Sequence, residues 1–172
     1  MRREACSLLS NILADIPEDN DSVFENKVLP ILLQLLQYDI PEVNNILKGI
    51  INFFLKIRFE ATICIFNLMS RCSASETQML VSAGIIEILL LNVQEDHRKL
   101  VRASLDALYN ILAFGDKMKE IENGINPYAQ RVVEFCGVNI FENLQAMKTD
   151  QRVLDKCSRL LDDFFDGRPP VQ

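Results

Sequence analysis

Residues 101–112 read VRASLDALYNIL, and the same helix is written twice more, at 58–69 as RFEATICIFNLM and at 2–13 as RREACSLLSNIL. The three segments align without gaps, and each carries an asparagine at one place: Asn11, Asn67 and Asn110. Three residues before it stand Leu8, Cys64 and Ala107, and two before it Leu9, Ile65 and Leu108. Six before it stand Ala5, Ala61 and Ser104, and just after it Ile12, Leu68 and Ile111. This spacing predicts an α-helix with one buried face, and the small residue six places back leaves room for a neighbouring helix. The asparagine falls beside that stripe. At about 100° per residue it shares a strip with the residues four and seven before it. The strips are Glu4, Ser7 and Asn11; Glu60, Ile63 and Asn67; and Ala103, Asp106 and Asn110. Each is expected to face solvent or a ligand.

A second, apolar piece follows the first two helices: KVLPILLQL at 27–35 and GIIEILLLN at 84–92. Each is preceded by a polar stretch expected to be helical, 21–26 in one case and 75–83 in the other, the latter opened by Ser75 and Gln78 as a capping box. Pro30 falls early in its helix, where proline is tolerated. The unit is therefore a short, a medium and a long helix in roughly 40 residues, the armadillo pattern. Asn67 and Asn110 are 43 residues apart, a normal period, whereas Asn11 and Asn67 are 56 apart. The additional residues fall near 38–55, which is expected either to lengthen the long helix or to add a short one before it, with Gly49 at the break. A fourth, divergent unit is expected at the C-terminal end. Its helices run over 128–136, 138–147 and 150–165, the last burying Val153, Leu154, Cys157, Leu160, Leu161 and Phe164.

The composition fits an ordered globular chain: 172 residues, 49% apolar, 24% charged. The net charge of −6 disfavours nucleic acid and favours a basic peptide. Cys6, Cys64, Cys72, Cys136 and Cys157 form no C-x-x-C pair and are odd in number, so they read as reduced, mostly buried thiols. Met1 is followed by Arg2, Arg3 and Glu4 with no long apolar run, so no signal peptide is expected, and the stretch 46–57 is too short and polar to span a bilayer. A metal site would want more histidine than His97 alone, and no cofactor is expected. His97 itself reads as part of a loop and helix start, with no partner motif for catalysis. The acidic run 18–21 lacks the spacing and glycine of a calcium loop and reads as a solvated turn. Phe53, Phe54, Phe164 and Phe165 read as core.

Several strings resemble the C-terminal repeats of the importin-alpha family. They are R-R-E-A-C at 2–6 with S-N-I at 10–12, F-E-A at 59–61 with Asn67, and L-D-A-L-Y-N-I-L at 105–112. The most specific are G-I-N-P-Y at 124–128 and L-L-D-D-F-F-D-G at 160–167. The resemblance implies a right-handed superhelical, all-α armadillo solenoid that is not an enzyme. It implies binding of basic nuclear-localisation peptides of cargo proteins along a groove. Asparagine amides there hold the peptide backbone, tryptophan faces take Lys and Arg stems, and carboxylates pair with the cationic heads. It also implies importin-beta and an export receptor as partners, and residence in cytoplasm and nucleus. The implied peptide-binding residues are Glu4, Ser7, Asn11, Glu60, Ile63, Asn67, Asp106 and Asn110. Glu4 and Glu60 have a second reading, as first-turn acids favoured by the helix dipole.

The departure is the tryptophan, of which the chain has none. Ser7 and Ile63 stand where the family carries it. Two lost slots at roughly 0.5–2 kcal/mol each weaken binding by about five- to a thousandfold. An armadillo protein-interaction scaffold without signal binding is therefore the alternative. The expected organisation is one armadillo domain over 1–166, of three to four repeats with the first incomplete, then an unordered tail over 167–172.

Overall fold

The computed structural model describes residues 48–119, 124–147 and 150–165, with only the backbone at 48–54, together with the single positions Asn11 and Ile31. Among the described residues there is no strand, and there are seven helices. They are α1 (Lys48–Met69), α2 (Ala74–Ser82), α3 (Ile85–Val93), α4 (Arg98–Lys117), α5 (Pro127–Glu134), α6 (Gly137–Ala146) and α7 (Gln151–Phe164). The chain divides into two units, residues 1–88 and 89–172, with the boundary inside α3. The helices expected at 2–13, 21–26 and 27–35, the acidic turn and the C-terminal tail lie outside the described residues, save that Asn11 and Ile31 are helical and exposed.

In the first unit α1 is one unbroken helix of 22 residues. The expected segment 58–69 is its second half, so residues 48–55 of the insertion lengthen the long helix. Gly49 lies in its first turn and breaks nothing. The predicted stripe is fully buried: Ala61, Cys64, Ile65 and Leu68 are each 0% exposed. The chain leaves α1 through Ser70, whose hydroxyl donates to the Asn67 carbonyl at 2.7 Å, and re-enters helix at Ser73.

The capping box is real but sits two residues earlier than expected. Ser73, not Ser75, is the cap: its hydroxyl accepts the Glu76 N–H, and the Glu76 carboxylate accepts the Ser73 N–H at 2.7 Å. Ser73 holds the extended backbone a cap requires (φ −70°, ψ 171°), whereas Ser75 is already inside the first turn. Helix α2 ends at Gly84, whose φ of +86° reverses the chain and suits glycine. The axis then bends by 64° into α3. Helix α3 is buried almost all round, with Ile85, Ile86, Leu89 and Val93 at 0% exposure and only Leu91 open to solvent. Each such burial contributes roughly 1.5–3 kcal/mol. No single described helix is long and apolar enough to cross a membrane.

In the second unit α4 packs on α5, α5 on α6, α6 on α7 and α7 back on α4, closing a ring of contacts. All three helices of the divergent C-terminal unit form where the spacing predicts. Helix α4 repeats the α1 stripe, with Ser104, Ala107, Leu108 and Ile111 each 0% exposed. Phe141 of α6 is fully buried and meets the Phe165 ring at 6.4 Å between centroids. Helix α7 buries Val153, Cys157 and Leu160. Leu154, Leu161 and Phe164, expected with them, are only half-buried, and Phe165 is buried instead. Its far side carries Arg152, Asp155 and Asp162, all exposed.

The cysteines are less uniform than expected. Cys64 and Cys157 are buried thiols, but Cys136 is exposed, at a left-handed turn (φ 57°) before α6. Cys72 is half-exposed, with its thiol pushed up to about 12 by burial and by the Glu76 carboxylate beside it. Burial raises Cys157 to about 11. Both folded values exceed the ordinary thiol value of 9.0, so the stability these thiols contribute is complete below about pH 9 and is lost as pH rises through 11–12. At pH 8 bimane alkylation, mapped by mass spectrometry, is expected to label Cys136 at least tenfold faster than Cys72 or Cys157. Comparable rates at the three would contradict this placement.

Candidate functional site

Two of the three predicted strips fall among the described residues, one in each unit. On α1, Glu60, Ile63 and Asn67 are half-exposed beside the sealed stripe. Glu60 lies in the middle of α1, which begins at Lys48, so the first-turn reading of this acid does not apply: the dipole's field is felt only in the terminal turn. Of the first strip, Glu4 and Ser7 lie outside the described residues, and Asn11 is exposed on helix.

On α4 the strip is partly closed. Asp106 and Asn110 are half-exposed, but Ala103 is 5% exposed and belongs to the core. Here the expectation fails because α4 is contacted by two helices, α5 and α7. Helix α7 reaches the rest of the strip with its cations. The Lys156 ammonium is ion-paired with Asp106. The Arg159 guanidinium lies over the Tyr109 ring, 4.3 Å from its centroid, and its Nη2 donates to the Tyr109 hydroxyl at 2.8 Å. That hydroxyl in turn donates to Asp163 at 2.8 Å, and the Phe164 ring abuts Tyr109 edge-on at 5.2 Å. Tyr109, Lys156, Arg159 and Asp163 were missed by the sequence reading. The only available signal was a pair of cations three residues apart on one helix, and nothing in the spacing says which helix they meet.

The G-I-N-P-Y string has a structural job. Asn126 caps α5: its Oδ1 accepts the N–H groups of Tyr128 at 3.0 Å and Ala129 at 3.1 Å. Its Nδ2 donates to the Leu112 carbonyl at 2.8 Å and to Asp116 at 3.1 Å. Both lone pairs and both donors of the amide are used, at 6% exposure. Pro127 takes the first helical position, where its missing N–H costs nothing. Gly115 of α4 lets the amide in: a Cβ there would collide with Asn126 Oδ1 and lie 2.9 Å from the Tyr128 ring.

His97 is the N-cap of α4, its Nδ1 accepting the Leu100 N–H at 3.1 Å. That bond needs an unprotonated Nδ1, so the imidazole is neutral while it caps. Among the described residues no group of three or more His, Cys, Asp or Glu side chains is placed to hold a metal ion.

Helices grouped short, medium and long, with an asparagine strip beside a sealed stripe on each long one, define an armadillo-repeat fold. The solved structures agree. A computationally designed armadillo repeat protein for modular peptide recognition superposes on 95% of this chain and 58% of its own, with a TM-score of 0.72 at 20% identity. An engineered protein superposes on 92% of this chain and 55% of its own, with a TM-score of 0.69 at 20% identity. The sequence relationship is importin-alpha-like: importin subunit alpha-4 of Arabidopsis thaliana is 33% identical over 96 residues. That match covers 54% of this chain and 18% of the importin. No family model matches the chain.

Proposed function

We propose that the chain is an importin-alpha-like adaptor module that binds basic, extended peptides of the nuclear-localisation type. The observation that carries this is the α1 strip: an acid at mid-helix and an asparagine seven residues on, in the last turn, both half-exposed beside a stripe with no exposure at all. An asparagine amide can donate to and accept from a peptide backbone at once, and a glutamate two turns away on the same strip can meet a Lys or Arg head. The overall charge of −6 adds long-range attraction for a basic ligand. On this reading the chain works between cytoplasm and nucleus, and importin-beta and an export receptor are its further partners. The designed relative, built for modular peptide recognition, supports the peptide class of ligand.

The test is a titration of a fluorescein-labelled bipartite localisation peptide, followed by anisotropy at low and physiological salt. Micromolar binding that weakens with salt is expected. Asn67→Ala removes up to two hydrogen bonds to the peptide and is expected to weaken binding about tenfold. No binding by folded protein would remove the adaptor reading. The second reading, a scaffold that has lost signal binding, is favoured by Ile63, which supplies no aromatic face at the slot position.

A further inference from the structure

Asp106 of the α4 strip and its neighbour Tyr109 carry what a cationic peptide needs, and both are already taken. Asp106 offers a carboxylate and Tyr109, three residues on, offers a ring face. Lys156 fills the first and Arg159 the second, and these two are also three residues apart on α7. An ammonium on a carboxylate and a guanidinium stacked on a tyrosine are the contacts that the Lys and Arg side chains of a bound peptide would make. We propose that Asp106 and Tyr109 form a cation-binding subsite for basic peptides that the chain's own C-terminal helix occupies, with Lys156 and Arg159 standing in for ligand side chains.

The consequence is selectivity. A peptide cation approaching Asp106 meets a carboxylate already neutralised by Lys156, and one approaching Tyr109 finds its ring face covered by Arg159, which is itself paired with Asp163 at 3.5 Å. The subsite therefore contributes nothing to a basic ligand until the α7 cations withdraw, and binding rests on other strips. The ion pair is open to displacement, since the Lys156 and Asp106 side chains are 32% and 40% exposed. At that exposure an ion pair is worth little, so a multivalent basic ligand held elsewhere can compete for Asp106.

This inference rests on the peptide-binding reading, and the experiment separates the two. The same labelled basic peptide is titrated against the full chain, Lys156→Gln, and Lys156→Gln combined with Asp106→Asn. Glutamine keeps most of the lysine stem, and circular dichroism melts confirm that each variant is folded. Lys156→Gln is expected to bind about two- to fivefold tighter at low salt, and the double variant to return to the parent affinity. A parallel Arg159→Gln variant, expected to gain by a similar factor, guards against a folding defect in the first. Parent binding with no gain in either single variant overturns the proposal and leaves the adaptor reading standing. A gain that survives Asp106→Asn overturns it too, because the charge change alone would then explain it. No binding by parent or variants overturns both, and binding that appears only on Lys156→Gln and requires Asp106 supports it.

Discussion

Asn126→Ala is expected to destabilise the chain by about 3 kcal/mol and to lower its Tm by about 6–12 °C. Two effects add. The cap of α5 is lost, because the Tyr128 and Ala129 N–H groups have no other acceptor at that end of the helix; a lost cap costs about 1–2 kcal/mol. The Leu112 carbonyl loses the Nδ2 donor but keeps its place in the α4 ladder, and a lost buried side-chain hydrogen bond costs about 0.5–1.5 kcal/mol. Asn126→Asp separates the roles. Aspartate keeps the capping oxygen but sets a carboxylate against the Leu112 carbonyl and Asp116, so it is expected to rescue little. A thermal melt in which aspartate restores full stability would reduce Asn126 to an ordinary cap.

Phe141→Ala is expected to cost more, about 3–5 kcal/mol. Phe141 has no exposed surface and meets Phe165 at 6.4 Å, between α6 and the end of α7. Truncation leaves a cavity where the two helices meet and removes the ring contact at the same time. Against a total of about 5–15 kcal/mol for a folded domain, this loss moves the urea midpoint sharply while leaving the slope nearly unchanged. Phe141→Leu, which refills most of the space, is expected to cost less than half as much. A loss below about 1 kcal/mol on Phe141→Ala would mean that α6 and α7 do not share a core.

The buried stripe was legible in the sequence on α1 and α4, and only in part on α7, where Leu154, Leu161 and Phe164 are half-buried. A single helix determines which of its faces is apolar, and all four predicted positions on α1 and all four on α4 are sealed. The strip beside it was legible only where nothing crosses it. Glu60, Ile63 and Asn67 stand half-exposed as expected, but Ala103 is buried and Asp106 is engaged, because α5 and α7 reach α4 from residues far along the chain. The start of α2 was misplaced for a local reason: Ser73 and Ser75 both look like caps, and only backbone geometry chooses between them. The G-I-N-P-Y string was visible as a family likeness, yet its meaning depends on Gly115 and Leu112, a helix away.

The far side of α7 sets a boundary on assembly. A helix built to be covered on both sides carries apolar residues on both. Asp155 and Asp162 lie opposite the buried Val153, Cys157 and Leu160. Another helix laid on that face would strip water from both carboxylates, at a cost of several kcal/mol for each one left unmatched. Close apposition of a further helix there is thus opposed by desolvation.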